Sequence, residues 1–232
     1  MPKIYAIVPA AGQGTRLGDA LPQQYLALAG RPLMFHSLEA LAAVARIEQV
    51  FVVLSPLDRH WSAHDWSRFP DKIAALFVGG ATRGESVANA LAHLQGRVAA
   101  DDWILVHDAA RPCLATELVE QFLDEVGDDP VGGLLAMPLA DTLKRAEESM
   151  RVCETVPRER LWRAQTPQMF RYEALARGLA KMPGATDEAQ AVESLGQMPR
   201  LVQGENANIK VTFAEDLPLA EMILARRGGV PL

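Results

Sequence analysis

Cysteine is scarce in this 232-residue chain: Cys113 and Cys153 stand far apart, with no Cys-x-x-Cys pair. That spacing indicates neither a zinc site nor a disulfide framework. Both read as packed or half-exposed thiols in a reducing compartment. No stretch approaches the ~20 apolar residues of a membrane span. The first residues lack a basic region followed by a long apolar run, so no export signal is expected and the cytoplasm is the expected location. Lysine and arginine form no runs and the formal charge is -6, which argues against a nucleic-acid binder. Small anionic substrates stay compatible, because a local cluster of arginines opposes the global sign. Repeats, low-complexity tracts and linkers are missing too. A single domain over 1–232 is the economical reading, and a chain this long buries enough surface to need no staple.

What is present is an alternation of buried strands and amphipathic helices. Ile4-Tyr5-Ala6-Ile7-Val8 is an unbroken apolar run that ends in Pro9 and a Gly-rich loop, the pattern of a central parallel strand. Further strands are predicted at 50–54, 73–78, 103–106, 131–137 and 209–211. Helices are predicted between them and after Ser55-Pro56, where serine reads as an N-cap. Thr212 to Glu215 fits a capping box opening the last helix. This order predicts an α/β fold: a twisted, mostly parallel sheet with helices on both faces. Residues 141–167 break the rhythm and read as a projecting β-hairpin arm of the kind that packs on a second subunit. Ligands of such sheets bind at the carboxyl ends of strands.

Four segments fall at those ends. Pro9-Ala10-Ala11-Gly12-Gln13-Gly14-Thr15-Arg16 lets backbone N–H groups approach an anion, with Arg16 adding a fixed charge. It is not a Walker A loop, and its third glycine comes one residue late for a dinucleotide fingerprint. Gly79-Gly80-Ala81-Thr82-Arg83-Gly84-Glu85-Ser86 offers two glycines, an arginine and a serine at a helix start. In His107-Asp108-Ala109-Ala110-Arg111, Asp108 is a natural Mg²⁺ ligand at a strand tip, whereas His107 reads as a hydrogen-bonded core histidine. Lys210 on the last predicted strand can point into the same crevice.

These segments, together with Gln24-Tyr25-Leu26, Thr166-Pro167-Gln168, Thr186-Asp187-Glu188-Ala189 and Asn208-Ile209-Lys210-Val211-Thr212, resemble in order the motifs of the 2-C-methyl-D-erythritol 4-phosphate cytidylyltransferase family over residues 4–225. The resemblance implies a Rossmann-like nucleotidyltransferase fold and a homodimer clasped by the arm. It implies that Ala10, Ala11, Gly12 and Gly14 cradle CTP, while Gly80, Arg83 and Ser86 help hold cytosine and ribose. Asp108 would bind Mg²⁺ and contact substrate. Arg16 and Lys210 would neutralise charge at the α-phosphate. Thr142, Arg158, Thr166 and Thr186 would serve the methylerythritol phosphate, with Arg158 and Thr186 reaching across the dimer.

One position departs from the pattern. The family loop reads Pro-Lys-Gln-Tyr, and here it is Pro22-Gln23-Gln24-Tyr25, so the expected catalytic lysine is Gln23. A neutral amide makes a hydrogen bond about half as strong as a charge-assisted one. Gln23 is therefore expected to slow turnover more than it weakens nucleotide binding. The rival readings are a cytidylyltransferase for another polyol phosphate, such as ribitol 5-phosphate, and a non-catalytic CTP-binding protein.

Overall fold

A computed structural model of the chain describes residues 2–12, 21–69 and 71–227. Its strands are β1 Ile4–Pro9, β2 Ala27–Leu28, β3 Arg31–Pro32, β4 Ile47–Val53, β5 Ile73–Leu76, β6 Trp103–Val106, β7 Gly132–Pro138, β8 Leu143–Ala146, β9 Val152–Val156, β10 Trp162–Arg171 and β11 Arg200–Gln203. The helices are α1 Leu33–Ala42, α2 Arg83–His93, α3 Thr116–Val126, α4 Tyr172–Lys181, α5 Glu188–Glu193 and α6 Asp216–Arg227. Seven strands form the main sheet in the order β11-β7-β10-β6-β1-β4-β5. All neighbours run parallel except β10, which is antiparallel to both β6 and β7.

Side chains on successive strand residues point to opposite faces, and both faces here are apolar. Ala6 and Val8 of β1, Val50 and Val52 of β4, and Leu105 of β6 share one core with Leu38 and Leu41 of α1 and Phe122 of α3. The intervening residues Tyr5, Ile7, Phe51, Val53 and Ile104 join Val87 and Leu91 of α2 and Leu175 and Leu179 of α4 in a second core. Continuous apolar runs are thus needed in the middle strands. From β1 the chain builds β4 and β5 on one side, then crosses back to place β6 on the other. The strand order reverses between β1 and β6, and their carboxyl ends flank a crevice.

Several expectations are corrected. No α-helix follows Ser55-Pro56. Asp58 Oδ1 instead accepts from the N–H groups of His60 and Trp61, both at 2.9 Å, and folds the chain into a turn and the short 3₁₀ segment Trp61–Ala63. The 209–211 segment is not a strand; the last strand in chain order is β11, at one edge of the sheet. Residues 141–167 are not wholly an arm. Only β8 and β9 form the separate two-stranded ribbon, and β10 runs from it into the main sheet, with 165–170 buried. The last helix starts at Asp216, whose Oδ2 accepts from the Thr212 and Phe213 N–H groups at 2.8 and 2.9 Å; Thr212 is not its cap. Among the described residues no helix is long and apolar enough to cross a membrane.

Candidate active site

The crevice at the strand reversal has a volume of about 310 Å³. Its floor begins where β1 ends. The Ala10 N–H donates to the Val53 carbonyl at 2.8 Å, and the Gln24 side-chain amide donates to the Ala10 carbonyl at 2.7 Å. Gly79, after β5, closes on this turn. A Cβ built there would stand 2.2 Å from the Ala11 Cβ and 2.8 Å from the Leu54 carbonyl oxygen. Glycine is thus required for the two loops to touch. Gly12, by contrast, has no neighbour within 4 Å of its side-chain position among the described residues, and it is exposed to the crevice.

The loop from Gly79 to Thr82 is pinned from inside α2. Ser86 is almost fully buried; its hydroxyl donates to the Thr82 carbonyl at 2.9 Å and accepts from the Gly80 N–H at 3.1 Å. Thr82 caps the helix by accepting from the Glu85 N–H at 3.1 Å. Ser86 therefore shapes the loop that faces the crevice.

Charge is concentrated where α2, β6 and the 208–212 segment meet. Arg83 donates through Nε to Asp108 Oδ1 at 2.6 Å, and through Nη1 and Nη2 to the two oxygens of Glu188 at 2.6 and 2.9 Å. Lys210 Nζ donates to Asp108 Oδ2 at 2.8 Å. Arg111 Nε lies 3.8 Å from the same oxygen, while its Nη1 donates to the Asn208 carbonyl at 2.7 Å. Burial by itself pushes the Asp108 carboxyl up, but Arg83 and Lys210 overcome that and hold it well below the usual carboxylate range. Burial also pushes Glu188 up, against the pull of Arg83. The fork, with both Glu188 oxygens accepting, is the geometry of an ionised carboxylate.

Beneath Asp108 lies a neutral network. His107 is fully buried, and burial pushes its imidazole down to about 4. Its Nε2 lies 3.2 Å from the Arg111 carbonyl, which can only accept, so Nε2 carries the proton. Nδ1 then accepts from the Thr166 hydroxyl at 3.0 Å, and that hydroxyl oxygen accepts from the Asp108 N–H at 3.0 Å. Asn208 Nδ2 donates to the Thr166 carbonyl at 2.8 Å. These bonds fix the backbone at Asp108.

Ala10, Ala11, Gly12, Gln23, Gly80, Arg83, Ser86, Asp108 and Lys210 all line this one crevice. Gly14 and Arg16 lie outside the described residues. Thr142, Arg158, Thr166 and Thr186 are not among the lining residues. Thr166 is buried with its hydroxyl spent on His107 and Asp108. Thr142 and Arg158 are exposed at the base of the ribbon, where Arg158 Nη1 donates to the Ala140 carbonyl, and Thr186 is exposed before α5. Sequence reasoning gave no role to Glu188, the fully buried partner of Arg83. Charge balance gives a signal only once the fold is known: the half-buried Arg83 meets one aspartate already shared with Lys210, which calls for a second acid beside it.

Comparison with known proteins identifies the family. The chain matches the family described as "IspD: 2-C-methyl-D-erythritol 4-phosphate cytidylyltransferase" over residues 4–226. It is 54% identical to 2-C-methyl-D-erythritol 4-phosphate cytidylyltransferase of Dechloromonas aromatica, covering 98% of this chain and 100% of that one. It is 55% identical to the enzyme of the same name from Nitrosomonas eutropha, covering 98% and 99%. Among solved structures, a 4-diphosphocytidyl-2C-methyl-D-erythritol synthase superposes with a TM-score of 0.85 at 39% identity, over 97% of this chain and 99% of the other. The Francisella tularensis 2-C-methyl-D-erythritol 4-phosphate cytidylyltransferase gives 0.81 at 31% identity, over 95% and 99%. With its sheet order, crevice and charge cluster accounted for, the chain belongs to the 2-C-methyl-D-erythritol 4-phosphate cytidylyltransferase family and is a nucleotidyltransferase enzyme.

Proposed function

We propose that this crevice joins CTP to 2-C-methyl-D-erythritol 4-phosphate, releasing pyrophosphate and forming 4-diphosphocytidyl-2-C-methyl-D-erythritol for non-mevalonate isoprenoid synthesis. The observation that carries this reading is the meeting of Arg83, Asp108 and Lys210 beside the open backbone at Gly12, at the reversal of strand order. The Ala10 to Gly12 backbone and the Gly80 loop cradle the nucleotide. An acceptor phosphate oxygen attacks the α-phosphorus in line, that new bond forms, and the bond to pyrophosphate breaks. The attacking oxygen is already anionic, so no strong general base is needed. His107, neutral and with both ring nitrogens occupied, is not placed to act as one. What the chain supplies is position and charge neutralisation. Lys210 is held by one bond and is half-exposed, so it can turn toward an incoming phosphate. Arg16 is assigned to the same task.

The donor set fits Mg²⁺ brought with the triphosphate. Asp108 is the carboxylate of the crevice lining, and each of its oxygens has lone pairs left beyond one bonded cation. Mg²⁺ in nucleotide sites is commonly held by one or two carboxylates plus phosphate oxygens. When bound, the ion would neutralise charge on the phosphates.

The acceptor side supports a homodimer. Arg158 and Thr186 are outside the crevice of their own chain, and the ribbon exposes Met150 at 83% and Val152 at 62%, with Trp162 beside it at 39%. A second copy covering this arm would bury them and bring Arg158 and Thr186 to its neighbour's site. Both cysteines are free thiols, in keeping with a cytoplasmic enzyme. The test is pyrophosphate release from CTP, Mg²⁺ and methylerythritol phosphate. Wild type should turn over and Asp108→Ala should be near background; equal rates would overturn the assignment of Asp108.

A further inference from the structure

Glu188 is the most deeply buried charge near the crevice, and the reaction as described leaves it without a task. It opens α5, directly after the N-cap Asp187. Asp187 is itself occupied, its Oδ1 accepting from the Gln190 N–H at 2.9 Å and its Oδ2 from Gln168 Nε2 at 3.0 Å. Glu188 is turned inward, where both of its oxygens are given to the terminal nitrogens of Arg83 at 2.6 and 2.9 Å. What Arg83 then presents to Asp108 is its Nε–H, at 2.6 Å on Oδ1. Asp108 Oδ2 is left to Lys210, at 2.8 Å. Four charges of alternating sign thus run from the interior to the crevice: Glu188, Arg83, Asp108, Lys210.

A guanidinium is a planar fork that prefers two parallel bonds to one carboxylate. Released from Glu188, Arg83 would be free to turn that fork onto Asp108, taking both oxygens and competing with Lys210. Gripped on its far edge, it gives Asp108 one bond and one orientation. We infer that Glu188 is a positioning residue for cytidylyl transfer: it holds Arg83 by its terminal edge so that Asp108 keeps an oxygen for Lys210 and the crevice. The inference rests on reading Asp108 and Lys210 as the charged centre of the reaction. It differs from a role in stability alone, which would lower the melting temperature and leave kcat per folded molecule unchanged.

The test compares the full-length wild type with Glu188→Gln, Glu188→Asp and the double variant Arg83→Met with Glu188→Leu. For Glu188→Gln, kcat per folded molecule should fall about 10- to 100-fold, the range common for groups that orient a ligand-bearing side chain. The CTP dissociation constant, by calorimetry, should stay within about threefold of wild type, because the glycine loops that cradle CTP are not touched. Glu188→Asp, which keeps the charge, should recover most of the loss. If Glu188→Gln does not fold, the double variant decides, because replacing both members of a buried ion pair by apolar groups commonly preserves the fold. It too should turn over slowly; because Arg83 is itself assigned to cytosine and ribose, only kcat at saturating CTP is read from this variant. A folded variant lacking the Glu188 carboxylate yet turning over at the wild-type rate would overturn the inference, as would a loss of CTP affinity in Glu188→Gln that matches its loss in kcat. Absence of pyrophosphate release by wild type would instead sink the cytidylyltransferase reading itself.

Discussion

The side-chain amide of Gln23 donates to the Val211 carbonyl at 2.6 Å, tying the short 3₁₀ segment Gln23–Tyr25 to the segment that carries Lys210 across 188 residues of sequence. Gln23 faces the crevice from the position where the family pattern has lysine. The amide holds the Lys210 segment in place but brings no charge of its own. Losing one preorganised donor to developing charge costs about 10²–10³ in rate. Gln23→Lys should therefore raise kcat at least about tenfold, with CTP affinity little changed. Steady-state kinetics beside calorimetry reads both. An unchanged kcat would mean that Gln23 does not stand in for a missing cation.

His107 sets a pH dependence of stability. Its imidazole is pushed down to about 4 by burial, whereas an unfolded histidine titrates near about 6.5. Between these values the unfolded chain binds the extra proton, so stability rises with pH across that window. The contribution is fully present above pH ~6.5 and is lost as pH falls toward about 4, a difference of about 3 kcal/mol. Urea unfolding from pH 7.5 down to 4.5 should show this fall in wild type. His107→Gln should have a flatter profile over the same range; parallel profiles would contradict the assignment.

Gly79 tests the contact between the two nucleotide loops. A methyl group there meets the Ala11 Cβ and the Leu54 backbone, neither of which is the end of a flexible side chain. Gly79→Ala should cost about 1–3 kcal/mol of stability as an overpacked site, and should weaken CTP binding by displacing the Ala11 turn. Thermal unfolding and calorimetry measure the two effects. Gly12→Ala meets no atom within 4 Å among the described residues and should leave stability near wild type.

How much of this was legible in the sequence differs from element to element. The middle strands were, because Val50 to Leu54 and Trp103 to Val106 are buried on both faces and leave unbroken apolar runs. β10 was hidden, since its first residues, Trp162 to Ala164, are exposed and its remainder holds the buried Gln165, Thr166 and Gln168, whose side-chain bonds run mainly to residues distant in the chain. Lys210 lines the crevice although the strand expected to carry it is absent. Its candidacy came from residue type, while the backbone beside it is shaped by single bonds from Val211 to Ala110 and from Gln23 to Val211 that no periodicity records. Glu188 was missed because an acid in the first turn of a helix ordinarily faces solvent, and only the fold brings Arg83 to it.

The arm gives a prediction of assembly. If a second copy covers the ribbon, placing charges at the exposed apolar positions Met150 and Val152 should separate the subunits. Met150→Glu with Val152→Glu should sediment as a monomer at concentrations where wild type is a dimer. Activity should fall with it, because Arg158 and Thr186 would no longer reach a neighbouring site. A wild type that sediments as a monomer, or a monomeric variant with full activity, would contradict this.

Product identification in a single reaction mixture bears most directly on the whole account. Wild type is incubated with CTP, Mg²⁺ and either methylerythritol phosphate or ribitol 5-phosphate, and nucleotide products and pyrophosphate are followed together by phosphorus NMR. One pyrophosphate should be released for each 4-diphosphocytidyl-2-C-methyl-D-erythritol formed, with slower or no conversion of ribitol 5-phosphate. Preferential conversion of ribitol 5-phosphate, or CTP that binds but is never cleaved, would contradict it.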